Sequence, residues 1–457
     1  VPGVASSWET SPDGLVWIFH LRPGLRWSDG SPLTAGDFVW SFRRAVDPAT
    51  ASPYAEALYP IANAARLNAG SEQDATKLGV AAPDPLTLVV TLAQPTAYLA
   101  GVMSLPVCFP LPRRAIEAGG PDWAKPGRLV SNGAFTLASW TPQLEIMLAR
   151  NPNYWDAGAV TLDKVRWVAV EDEQASLRAY LNGELDIAQV SPTDVRRLRV
   201  ALPDQLHTDT TLRTDFLMVN TRIKPFDDPR LRAALSMAID RDVLAGKVNV
   251  HGQMPANSLV PPGMAGYEPQ PPDWAALDKT QRLARARALL AEAGFGPDHP
   301  LKVELSYPVS DTARLTLAAL AAMWKPLGID VALDAEENRV FNAAVRNHQM
   351  QIAYTDWIGD YPDPWTFLQL LDSRATLMNG GDYRSAEYDG LLQQAARTLD
   401  PAARMAALES AERVANRDAP LIPVAYETRP MLVSPKVRGY YGNLLDSNLS
   451  RDLSIMP

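Results

Sequence analysis

Leu301-Lys302-Val303-Glu304-Leu305-Ser306-Tyr307 begins a run of alternating strands and helices that extends to Leu370. It reads as a strand bounded by Pro300 and Pro308. Asp311 to Trp324 follows as a helix stopped before Pro326, and Ile329 to Leu333 as a second strand. Val340 to Asn347 is helical, and Gln351 to Trp357 is a third, apolar strand. Asp363-Pro364 then reads as N-cap and N1 of a helix continuing through Trp365-Thr366-Phe367-Leu368. Pro300 to Leu370 therefore runs β–α–β–α–β–α. That is the order of an α/β lobe, in which ligands sit beyond the C-terminal ends of strands.

The end of the third strand concentrates chemistry. Thr355 to Leu368 sets Asp356, Asp360 and Asp363 among Trp357, Trp365, Tyr361, Phe367, Ile358 and Leu368. Aromatic side chains bury large areas, while carboxylates resist burial unless paired. Asp363 has a capping role, but Asp360 has none visible. Asp360 follows Gly359 in the turn after the strand, rimmed by Trp357 and Tyr361, and suits capture of a cationic group such as an α-ammonium. The alternative is that it accepts backbone N–H groups of its own turn.

Outward from there, the chain alternates short elements. Gly14 to Arg22 reads as a strand, and Thr34-Ala35-Gly36-Asp37 as a capping box opening a helix from Phe38 to Val46. Leu86 to Leu92 is a strand. Gly133 to Leu137 and Leu144 to Leu148 read as a hairpin around Trp140-Thr141-Pro142. A strand at 164–170, a helix at 173–181 and a strand at 183–187 give a β–α–β order that predicts a partly parallel sheet. Phe216 to Asn220 is a strand, and Asp228-Pro229 caps the next helix. Gln281 to Ala293 is a basic amphipathic helix with a solvated face. Helices at 387–399 and 402–416 and strands near 422–426 and 429–433 finish the chain.

The 457 residues predict two or more domains. A net charge of −9 argues against nucleic-acid binding and against a basic membrane-surface patch. No window approaches the roughly 18 consecutive apolar residues of a membrane span. Cys108 is the one cysteine, so no intrachain disulfide forms. His20, His207, His251, His299 and His348 show no metal-ligand spacing. Phosphate-loop, dinucleotide and nucleophile-elbow motifs are absent. No cofactor or metal is expected, and a binding protein is favoured over an enzyme.

Several ordered motifs carry a resemblance. They include Trp27-Ser28-Asp29-Gly30 with Pro32, Thr34-Ala35 and Asp37-Phe38-Val39, then Asp47-Pro48 with Ser52-Pro53-Tyr54. Asn132-Gly133-Ala134-Phe135, Asn151-Pro152 with Tyr154-Trp155-Asp156, and Gly183-Glu184 with Asp186 follow. Pro225-Phe226-Asp227-Asp228-Pro229-Arg230-Leu231-Arg232-Ala233-Ala234-Leu235, Ala291-Glu292-Ala293-Gly294-Phe295 and the Trp357 to Leu368 stretch complete the set. Together they resemble the periplasmic oligopeptide-binding proteins, the family-5 solute-binding components of ABC importers.

That resemblance implies an α/β, two-lobed periplasmic-binding-protein clamp of the Venus-flytrap type, with an extra α+β domain in the first lobe. Hinge closure would enclose the ligand. By motif alignment the extra domain is 1–110. The first lobe is 111–212 with 429–457 returning to it, and the second lobe is 213–428. Relatives begin earlier than Val1, with a segment that adds a strand to the first lobe. The implied function is capture of peptides in the periplasm, or tethered outside the membrane, for delivery to an inner-membrane ABC permease, by a monomer. Asp360 is then the partner of the peptide α-ammonium, and the backbone of Trp357, Ile358 and Gly359 holds the peptide as an added strand. Tyr54 lies near the peptide N-terminus and Arg346 in the groove.

The sequence departs from the family at five positions. A disulfide found in some members falls on Arg213 and Ile358, and Arg213 is expected close enough to Asp360 to compete with or position an ammonium. A residue serving peptide C-termini in relatives is Ala313, a groove Tyr is Glu427, and an aromatic is Gln189. These departures keep two other readings open. One is the same clamp holding an opine, murein fragment, sugar derivative or metal chelate. The other is a hydrolase using a carboxylate pair drawn from Asp356, Asp360 and Glu427.

Overall fold

The computed structural model describes residues 3–248, 252–375 and 378–456. Val1, Pro2 and His251 lie outside the described residues. The chain divides into two compact units. One comprises Val1–Ala188, Val433–Tyr441 and Ser447–Pro457, and the other Gln189–Leu432 and Gly442–Asp446.

The first unit holds an antiparallel sheet of β1 (Ala5–Thr10), β2 (Val16–Leu21), β3 (Val80–Asp84) and β4 (Thr87–Thr91), in the order β1-β2-β4-β3. Strand alternation puts Trp17, Phe19 and Leu21 of β2 in the core. Helix α1 (Ala35–Val46) packs on this sheet and buries Phe38, Phe42 and Val46. Its capping box is present: Asp37 Oδ2 accepts from the Thr34 N–H at 2.7 Å. A second sheet is formed by β5 (Phe135–Thr141), β6 (Glu145–Arg150) and β7 (Lys164–Val168), all antiparallel. The hairpin expected there exists, but its turn falls at Pro142–Gln143 because β5 runs on to Thr141. The partly parallel arrangement expected for 164–187 does not form. After the 173–181 helix, β8 (Ile187–Gln189) pairs elsewhere, with the late strand β14.

The second unit is built on a seven-stranded mixed sheet. Its strands are β8, β9 (Leu206–Val219), β10 (Met254–Pro255), β11 (Leu301–Pro308), β12 (Ile329–Glu336), β13 (Ile352–Ile358) and β14 (Leu421–Val433). The order is β10-β14-β9-β13-β11-β12, with β8 on β14. As the element order predicts, β11 is parallel to both β12 and β13. Helices Pro229–Met237, Lys279–Glu292 and Asp311–Trp324 bury Leu231, Leu235, Leu290, Leu317, Leu320 and Trp324 against Leu217, Val303, Leu305 and Ile352. Trp324 satisfies its one polar atom by donating to Leu235 O at 3.1 Å. The two strands expected near 422–426 and 429–433 are one continuous strand with register breaks.

Candidate functional site

Strand β13 is paired unequally on its two edges. Its ladder with β9 extends to Ile358↔Arg213, while its ladder with β11 stops at Ala353↔Ser306. Asn220 N donates to Gln351 O, and Gly359 N donates to Leu212 O at 2.7 Å. Odd-numbered residues of β13 therefore form the hydrogen-bonded pairs with β9. By the alternation of an antiparallel ladder, the backbone N–H and C=O groups of Asp356 and Ile358 point to the opposite edge. No strand is paired there among the described residues. An unpaired edge of this kind is a template for another extended chain.

Asp360 lies directly beyond that edge. Its carboxylate is exposed and makes no hydrogen bond or ion pair among the described residues, so the turn-capping alternative is not realised. Partial desolvation with no compensating partner raises its pKa above the ordinary value. The turn carrying it is held from both sides. Gly359 is buried, and a Cβ there would meet Thr366 Cγ2 at 2.9 Å and Phe367 Cε2 at 3.0 Å. Trp357 Nε1 donates to Thr366 Oγ1 at 3.3 Å. The helix expected to start at Pro364 starts at Trp365 (Trp365–Leu368), and Asp363 Oδ1 accepts from the Trp365 N–H at 2.9 Å. Asp363 has a second role that local sequence does not reveal. Arg404, from the long Pro401–Asp418 helix, grips it with two bonds of 2.6 and 2.8 Å.

Arg213 does not take the position expected of it beside Asp360. It stands directly opposite Ile358, but its Nε is 3.3 Å from Asp215 Oδ1 and 3.3 Å from Asp356 Oδ2. Two nearer carboxylates have drawn the guanidinium along its own face of the sheet. Burial works against its charge, and Asp215, Asp356 and Glu427 outweigh that, so its pKa is raised.

Around Arg213 lies a cluster that the sequence reading did not assemble. Asp215 is 5% exposed and accepts from Tyr354 Oη at 3.2 Å and from Gln253 Nε2 at 3.4 Å. Gln253 Nε2 also donates to Glu427 Oε1. Glu427 sits where the β9–β14 register breaks between Tyr426 and Thr428, a device that re-aims side chains. Burial first, and the Glu427 carboxylate second, push Asp215 up to about 8. Of the three carboxylates expected as a hydrolase pair, Glu427 stands beside a fourth, Asp215, and the two share the Gln253 Nε2 donor. One signal was available: Asp215 is a charge at the start of the buried run Phe216-Leu217-Met218-Val219.

The remaining expected residues are dispersed. Gln189, at the end of β8, accepts from Arg429 Nη2 at 2.9 Å. Arg346 is exposed in the last turn of the Asn338–Arg346 helix, where a cation complements the helix dipole. Ala313 is buried in the first turn of the Asp311–Trp324 helix. Tyr54 belongs to the first unit, exposed at the start of a short 3₁₀ turn. Ile358 is exposed.

A mixed α/β unit with a lone carboxylate at the end of a half-open strand describes a binding protein. Residues 1–378 match the bacterial extracellular solute-binding proteins, family 5 (middle), and the chain belongs to that family. It is 36% identical over 461 residues to the periplasmic oligopeptide-binding protein OppA of Escherichia coli (strain K12), covering 100% of this chain and 84% of that protein. It is 38% identical over 442 residues to the probable deoxycholate-binding periplasmic protein YgiS of the same organism, covering 96% of this chain and 82% of that one. Among solved structures, the unliganded open form of the periplasmic murein tripeptide-binding protein MppA matches with a TM-score of 0.90 and 35% identity, covering 100% of this chain and 88% of that one.

Proposed function

We propose that this chain is the extracytoplasmic peptide-binding component of an ABC importer, which captures peptides and hands them to an inner-membrane permease. The observation that carries this reading is the partnerless Asp360 at the end of the unpaired edge of β13. A peptide offers what each part lacks. Its α-ammonium pairs with Asp360, in a charge-assisted bond about twice as strong as a neutral one. Its backbone pairs with the open groups of Asp356 and Ile358, giving affinity without demanding a sequence. In this reading Tyr54 lies near the peptide N-terminus, and Arg346 and Gln189 line the groove. The protein acts as a monomer, without turnover of its ligand. Its lobes divide at 1–110, 111–212 with 429–457, and 213–428.

The likeness to YgiS favours a second reading, the same fold holding a non-peptide ligand. Deoxycholate carries a carboxylate and no amine. Asp360 and the Asp215–Asp356–Glu427 group would repel it, and the hindrance proposed from Arg213 is absent because Arg213 is engaged elsewhere. Native mass spectrometry of the purified protein, repeated after denaturation, tests the two. A ladder of masses fitting short peptides, lost in Asp360→Asn, is the expected result. A single non-peptide mass unaffected by Asp360→Asn would overturn the peptide reading.

A further inference from the structure

The Arg213 cluster is not used by the capture of a peptide backbone. Three carboxylates (Asp215, Asp356 and Glu427) surround one guanidinium, so at least one negative charge has no fixed counter-ion. Asp215 and Gln253 are buried, at 5% and 7% exposed. Arg213 and Asp356 are the more accessible members, with side chains 40% and 38% exposed. The amide of Gln253 supplies an independent observation. Its Nε2 donates to both Asp215 and Glu427, yet its Oε1, bonded to the same carbon and buried, accepts no hydrogen bond among the described residues. A buried carbonyl oxygen without a donor is rare and calls for an explanation. A primary ammonium carries three donors and no acceptor, which matches two carboxylates and one amide oxygen.

We propose that Asp215, Asp356, Glu427 and Gln253 form a subsite for a second cationic group of the ligand, so that preferred peptides carry a basic side chain close to their amino end. This rests on the reading of Asp360 as the ammonium anchor. Asp356 precedes Asp360 by four residues, a chain distance of at most about 14 Å. A ligand strand anchored at Asp360 and running back along the open edge of β13 advances about 3.3 Å per residue. A long side chain on one of its first three residues spans the interval. Arg213 would act as the tethered cation that offsets the mutual repulsion of the carboxylates when the subsite is empty.

Isothermal titration with tripeptides carrying lysine or its neutral near-isostere norleucine at the first, second or third position, the rest alanine, tests this. At one position lysine should bind at least about tenfold tighter than norleucine. Glu427→Gln, which keeps the shape and removes the charge, should cut that ratio to about threefold or less. Lysine and norleucine peptides binding within about twofold of each other at all three positions would overturn the subsite while leaving the peptide reading intact, and so would an unchanged ratio in Glu427→Gln. Binding of none of the tripeptides would overturn the peptide reading and the subsite with it.

Discussion

Arg404→Met should destabilise the protein far more than loss of an ordinary surface ion pair. Arg404 and Asp363 are 5% and 15% exposed at the side chain and meet through two parallel bonds of 2.6 and 2.8 Å. Exposed pairs contribute roughly 0–1 kcal/mol. Here the charges are largely desolvated, and removing one partner strands the other, which costs about 3–5 kcal/mol. Asp363 would keep the Trp365 N–H as a partner, which favours the lower half of that range. At 2–4 °C per kcal/mol for a unit of this size, the melting transition should fall by on the order of 10 °C. Scanning calorimetry of Arg404→Met, Asp363→Asn and the double variant measures both the loss and the coupling. The double variant should be less destabilised than the sum of the singles by about 2 kcal/mol, because it leaves no stranded charge. A drop under about 3 °C for Arg404→Met, or strict additivity in the cycle, would mean that the pair contributes no more than an exposed one.

Three further outcomes follow from the same geometry. Gly359→Ala places a methyl group 2.9–3.0 Å from Thr366 and Phe367, so it should cost about 1–3 kcal/mol and lower peptide affinity by shifting Asp360; an unchanged melting temperature and affinity would contradict this. Glu412 is fully buried and accepts from Val260 N at 2.9 Å, Tyr267 Oη at 2.7 Å and Gln270 N at 2.8 Å, so Glu412→Ala should cost about 3–5 kcal/mol in urea unfolding by leaving these donors unmet. Asp215 is raised from the unfolded value near 4 to about 8. The folded state therefore binds its proton more tightly than the unfolded state does, and stability falls as pH rises between those values. Melting curves at pH 5 and pH 8.5 should show wild type losing more stability than Asp215→Asn; equal losses would sink the assignment.

Local signals made much of this protein legible from its sequence. The alternation of strands and helices from Pro300 to Leu370 is the observed one, because side-chain periodicity and the stop before Pro326 act over a few residues. Asp360 stood out for the same reason: it is a carboxylate in a turn with no local partner, and it has none among the described residues. Asp363 looked like a cap and is one, shifted by a residue.

Pairings over long sequence separations become visible once the chain is folded. Arg404 reaches Asp363 across 41 residues, and Gln253 reaches Glu427 across 174. Strand 187–189 joins β14 rather than the strand before it, because a three-residue strand carries too little pattern to specify its neighbour. The parting of β11 from β13 after Ala353 leaves an open edge that no spacing of residues announces. Periodicity and caps are written within one or two turns of chain. Register, sheet edges and the company a buried carboxylate keeps depend on which distant strand lies alongside.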